Sequence, residues 1–237
     1  MPALRVVLGD QLSNEISSLN SIDAENDIVL ICEVFAEATY VKHHKKKIAF
    51  LFSAMRHFSE ELRNEKKYQV EYFRLSDPEP MSSFTQAVEK TLANHKIDEI
   101  IVTSPGEYRV LTEINGWQEL FGVPVDIRED DRFLCNQFEF RKWSKDRKNL
   151  RMEYFYREMR KKYSILMDGD QPVGGKWNFD IENRKSPNSN FDVPETFSSE
   201  PDKVTLDVMK LVEDKFSDHM GVLLSLIHIS EPTRRRG

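Results

Sequence analysis

The chain has 237 residues, 39% of them hydrophobic and 31% charged, enough for one complete core plus a terminal extension in a soluble globular protein. No run approaches the roughly 18 apolar residues that cross a bilayer, and the amino terminus lacks a basic-then-apolar secretion signal, so no membrane partner is expected and the cytoplasm is the expected location. The net charge of −6 argues against strong nucleic-acid binding by the whole chain, and Cys32 and Cys135 stand in no metal or redox spacing.

Residues 4–8 (LRVVL) and 28–31 (IVLI) are short runs of the kind buried on both faces of a parallel sheet; 69–75, 99–103 and 123–127 follow at helix-sized intervals. Between the second and third strands, Ile48, Leu51, Phe52, Met55, Phe58 and Leu62 recur at spacings of three and four, which predicts an amphipathic helix over 41–64. His43 and His44 near its start are adjacent, so they diverge by roughly 100° on a helix and cannot chelate one metal together. With Lys45, Lys46 and Lys47 they read as an exposed helix start. A second helix is expected near 83–95, with Phe84, Val88 and Leu92 inward, and a third after Thr112. Five strands joined by right-handed helical crossovers make a Rossmann-like, doubly wound parallel α/β sheet.

From about Cys135 the strand signal fades. Residues 138–143 and 150–162 read as helices, 167–190 as a long irregular connection rich in glycine and proline, and 202–216 as a helix through Val204, Val208, Leu211 and Val212. The expected division is an α/β domain at 1–134, a helical extension and linker at 135–223, and a tail at 224–237. The tail begins LSLIHISEPTR, which reads as an in-frame translation of a sequencing adapter; a genuine apolar helix with a basic end is disfavoured by Pro232 and the missing amphipathic pattern. Residues 141–162 hold ten Lys/Arg against three Asp/Glu. On one face they would make a footprint for phosphate, and otherwise a solvated helix face or an interdomain seam. Tyr154, Phe155 and Tyr156 could stack on bases, or be buried against the sheet and a further domain while the cations beside them stay wet. Trp117, Trp143 and Trp177 read as packing residues.

Ligands of an open parallel sheet bind outside the carboxyl ends of its strands. Gly9, Asp10 and Gln11 leave the first strand, Glu33 and Glu37 follow the second, and Gly106 and Glu107 follow the fourth, with Leu51 on the neighbouring helix as an apolar wall. The glycines would let a ligand approach the backbone, while the carboxylates and the Gln11 amide offer hydrogen bonds. No GxGxxG follows the first strand, and an acidic loop repels a pyrophosphate. The residues therefore suit a neutral ring with hydroxyls, or else are ordinary loop and cap residues.

Three segments carry a resemblance: LGDQLS at 8–13, CEVFAEATYVKHHKKKIAFLFSAMRHF at 32–58 and MEYFYREMRKKYSILMDGDQPVGGKWNFDIENR at 152–184. They resemble the deoxyribodipyrimidine photolyase-related proteins, the iron–sulfur branch of the cryptochrome/photolyase family. The resemblance implies an amino-terminal antenna domain holding 6,7-dimethyl-8-ribityllumazine at Gly9, Asp10, Gln11, Glu33, Glu37, Leu51, Gly106 and Glu107. It also implies FAD and a 4Fe–4S cluster in a carboxy-terminal domain beyond Leu223, so that this chain alone has no catalytic or metal-ligating residue and no activity. The implied partner of the intact monomeric enzyme is DNA containing UV photoproducts, of (6-4) type, approached by Arg184 first and Lys148 second. Two alternatives stay open: a cryptochrome-like blue-light photoreceptor without repair activity, and a stand-alone flavodoxin-like binding module.

Overall fold

Five short parallel strands, β1 (Ala3–Val6), β2 (Ile28–Cys32), β3 (Gln69–Phe73), β4 (Glu99–Thr103) and β5 (Val125–Arg128), pair in the order β3-β2-β1-β4-β5. In this computed structural model, residues 2–181, 184, 186, 192, 194–195 and 200–223 are described; the adapter-like tail lies outside them. The chain divides into two compact units, residues 1–130 with 198–237, and residues 131–197.

Central strands β1 and β2 are buried along their whole length, whereas the edges β3 and β5 are only half-buried, as expected where crossover helices cover both faces. Alternation along the strands splits the apolar side chains into two cores. Leu4, Val6, Ile28, Leu30, Ile100 and Val102 meet α3 (Phe84–Asn94), α4 (Tyr108–Asn115) and α5 (Trp117–Phe121). Val7, Val29 and Ile31 meet α2 (Lys45–Asn64) and α8 (Lys203–Lys215). Trp117 is a packing residue on the first of these faces, its Nε1–H donating to Thr85 Oγ1 at 2.9 Å.

The sequence boundaries shift where a cap decides them. The long helix begins at Lys45, not at 41, because His44 is extended and its Nδ1 accepts the Lys46 N–H at 3.1 Å; the preceding residues form a separate short helix, α1 (Phe35–Thr39). The third helix starts at Tyr108, before Thr112, and a break at Gly116 separates it from α5, which ends on Gly122 in the left-handed region at φ 66°.

Residues 203–223, grouped with the linker on sequence grounds, pack in the first unit. Val208, Val212 and Phe216 are fully buried in the core beneath α2, and Phe216 stacks on Phe35 at 5.7 Å. Asp202 starts α8 by accepting the Thr205 N–H at 2.8 Å. Val212→Ala removes two buried carbons and should cost about 2 kcal/mol in urea-induced unfolding; a loss below half of that would mean α8 is only loosely attached.

The second unit holds α6 (Gln137–Ser144), α7 (Met152–Tyr163) and a short antiparallel ladder of β6 (Met167–Asp168) with β7 (Gln171–Pro172) inside the segment expected to be irregular. Phe140, Trp143 and Phe155 pack as an aromatic trio with centroids 4.9 to 5.6 Å apart. Arg160 is buried and fastens the end of α7, donating from Nε to the Ile165 carbonyl at 3.0 Å and from Nη2 to the Leu166 carbonyl. Apart from Arg160 and Pro172, no described residue of this unit is buried. Tyr154 and Tyr156 are exposed, while Phe155 is half-buried against Phe140 and Trp143.

Candidate ligand-binding site

The strand order reverses beside β1, and there the carboxyl ends of β1, β2 and β4 border a cavity of about 280 Å³. Its floor and walls are apolar: Leu8, Val34, Ile48, Phe52, Met55 and Val110 line it, with the buried Cys32 thiol, whose pKa burial pushes up so that it stays protonated. Of the eight residues singled out from the sequence, six converge on this cavity: Gly9, Asp10, Glu37, Leu51, Gly106 and Glu107. A Cβ at Gly9 would lie 3.0 Å from Met55 Sδ, so the methionine would have to shift; around Gly106 nothing lies within 4 Å of such a Cβ.

Gln11 and Glu33 do not join them. Both are fully buried and hold the framework. The Gln11 amide donates to the carbonyls of Thr103 (3.0 Å) and Ser104 (3.4 Å) and its oxygen accepts the Leu8 N–H, tying the turn after β1 to the end of β4. Glu33 accepts a guanidinium fork from Arg56, at 2.6 and 3.0 Å, together with the Tyr72 hydroxyl and the Leu75 N–H, each at 2.8 Å. Burial and then the Glu33 charge raise the Tyr72 pKa, so the phenol stays a donor.

The mouth of the cavity carries a clasp that the sequence does not announce. Arg109, in the first turn of α4, forks onto Glu37 of α1 at 2.7 and 2.6 Å and reaches Glu107 at 3.0 Å. Its guanidinium lies over the Tyr40 ring at 4.6 Å, and the Tyr40 hydroxyl donates to Glu107 at 3.2 Å. The Glu37 hydrogen bonds hold the Arg109 pKa up, leaving a permanent cation. His43, also on the wall, has its pKa lowered by burial and by Lys47, whose Nζ lies 3.2 Å from His43 Nδ1, so the ring is neutral at pH 7. The result is an apolar slot bordered at its mouth by hydrogen-bonding, partly neutralised carboxylates, chemistry that suits an amphipathic ligand.

Lys148 and Arg184, the candidate DNA contacts, are exposed. Four of the ten cations of 141–162 are engaged within the unit: Arg147 pairs with Glu158, Arg157 with Glu153 and Lys162 with Glu139, while Arg160 is internal. Trp177 lies against Arg157, Arg160 and Lys161, 5.3 to 5.6 Å from its centroid. Among the described residues no group of three or more His, Cys, Asp or Glu could hold a metal ion, and no helix is long and apolar enough to cross a membrane.

The chain is 51% identical over 223 residues to a (6-4) photolyase of Agrobacterium fabrum, covering 94% of this chain and 44% of that protein. It thus spans less than half the length of that relative. It is also 25% identical over 200 residues to the uncharacterized protein R852 of Acanthamoeba polyphaga mimivirus, covering 81% of this chain and 98% of that one. The family model for deoxyribodipyrimidine photo-lyase-related proteins matches residues 5–226, and the chain belongs to that family.

Proposed function

We propose that this chain is the light-collecting part of a photolyase that repairs (6-4) photoproducts in DNA, and that its cavity holds 6,7-dimethyl-8-ribityllumazine. The observation that carries this reading is the convergence of Asp10, Glu37, Leu51, Gly106 and Glu107 on one apolar slot at the sheet's switch point. A bicyclic ring suits the wall of Ile48, Leu51, Phe52 and Met55; its hydroxylated arm suits the carboxylates at the mouth. When bound, the lumazine would supply absorption of blue light and transfer of excitation energy. The chain's own residues bind the ring, keep it dry and fix its orientation.

The flavin and the iron–sulfur cluster would belong to further chain of the kind the Agrobacterium protein has beyond the match. This chain contains two cysteines in all, too few for a four-cysteine cluster. A second unit with almost nothing buried, and with Phe138, Met152, Ile165 and Phe179 among its exposed side chains, is in keeping with a surface that such a domain would cover. Joined to the part of the Agrobacterium protein that lies outside the match, the chain should support repair of (6-4) photoproducts under blue light. Flavin photoreduction without repair would favour a cryptochrome-like receptor instead. The near-complete coverage of the mimivirus protein favours a second reading, a stand-alone binding module.

DNA contact by the linker has its own expected outcome. In the full-length protein Arg184→Ala should weaken binding of lesion DNA and reduce the log–log salt slope by about 0.9 if one phosphate contact is lost. Unchanged affinity and slope would place Arg184 away from the DNA.

A further inference from the structure

We propose that Arg109 sets the ligand specificity of the cavity: engaged by Glu37 and Glu107, it leaves a mouth that accepts a heterocycle with an uncharged polyol arm and refuses the phosphate ester of the same molecule. The inference rests on the reading of the cavity as a chromophore site. Three carboxylates, Asp10, Glu37 and Glu107, border the cavity. Arg109 answers two of them. Arg109 spends its fork on Glu37 and a further N–H on Glu107, with one face covered by Tyr40. Lys47 lies against the neutral His43 ring. The mouth's guanidinium is therefore engaged before any ligand arrives.

Helix amino termini favour anions; those of α1 and α4 have no side-chain cap, but each carries a carboxylate that opposes an anion, Glu37 in the first turn of α1 and Glu107 flanking α4. At the start of α2, the Lys45 N–H donates to the Met220 carbonyl at 2.9 Å and the Lys46 N–H to His44 Nδ1. A phosphate, with about −1.5 to −2 charges at pH 7, would meet carboxylates and no free fork. Hydroxyls face no such conflict, because a carboxylate that accepts from arginine keeps lone pairs for further donors.

Replacing the two partners reverses the logic. Glu37→Gln with Glu107→Gln makes the mouth two charges more positive and frees Arg109 to grip a phosphate with two parallel hydrogen bonds. Sequence spacing offers no hint of this, since Glu37 and Arg109 are 72 residues apart.

The test titrates 6,7-dimethyl-8-ribityllumazine and its 5′-phosphate into the chain, following fluorescence polarisation at low salt, with circular dichroism of each variant. The parent should bind the phosphate ester on the order of 100-fold more weakly, and the gap should narrow as salt rises. The double variant should bring the two within about threefold or invert them; Glu107→Gln alone, at an exposed position, should move the ratio part of the way even if the double variant folds poorly. Arg109→Met removes a positive charge from the mouth, so it should widen the preference for the unphosphorylated ligand while lowering the affinity for both ligands as the clasp falls open. Equal affinity in the parent overturns the inference and leaves the chromophore reading standing, and so does a ratio untouched by the glutamine substitutions. Binding of neither compound overturns both.

Discussion

Leu51→Trp should abolish ribityllumazine binding, lowering affinity at least about 100-fold, while leaving the circular dichroism spectrum of the chain unchanged. Leu51 sits on the cavity side of α2 and is only half-buried, so it does not carry the helix's packing. That work is done by Ile48, Phe52, Met55, Phe58 and Leu62, all buried in the core below. An indole at position 51 keeps the stripe apolar, and solvent on one side gives the helix room to accommodate it. The cavity, at about 280 Å³, has no such room. Overpacking therefore falls on the ligand instead of the fold. A folded tryptophan variant that binds with the parent's affinity would place the ligand elsewhere.

Glu33→Ala should be the most destabilising single change in the sheet domain, at about 3 to 5 kcal/mol, a drop in Tm on the order of 10 °C. Glu33 is fully buried beside an equally sequestered Arg56, and removing the carboxylate strands a guanidinium, the Tyr72 hydroxyl and the Leu75 N–H without their acceptor. Most of the cost is that stranded charge, not the intrinsic worth of the pair. The Glu33→Leu, Arg56→Met double variant should accordingly be more stable than either Glu33→Ala or Arg56→Ala, which thermal unfolding can decide. A Glu33→Gln protein of nearly parental stability that no longer binds lumazine would show that this carboxylate serves the ligand after all.

These two residues mark how far the sequence could be read. Strand positions and the stripe of α2 were legible because hydrophobic periodicity is local. So was the location of the site at the strand ends, because parallel topology dictates it. Glu33 and Glu37 lie four residues apart after the same strand, and nothing nearby separates a framework carboxylate from a cavity one. Their partners do, and those are distant: Arg56 and Tyr72 are 23 and 39 residues from Glu33, and Arg109 is 72 from Glu37. Gln11 was assigned to the ligand for the same reason, its bond to the Thr103 carbonyl spanning 92 residues. The starts of α2 and α4 were misplaced because a histidine ring caps the first and no side chain caps the second, so the usual serine, threonine or aspartate signal is missing. The pairing of α8 with α2 depends on tertiary packing of two amphipathic faces and leaves no mark in spacing alone.

The most direct measurement is the identity of the small molecule that stays with the protein. The chain, expressed in a host that makes ribityllumazine and purified without denaturant, would be heat-extracted, and the extract analysed by absorbance and mass spectrometry. The account predicts one 6,7-dimethyl-8-ribityllumazine per chain, lost in Leu51→Trp and retained in Arg184→Ala, with neither flavin nor iron. Stoichiometric flavin in its place, or a chain that stays empty at saturating lumazine, would contradict it.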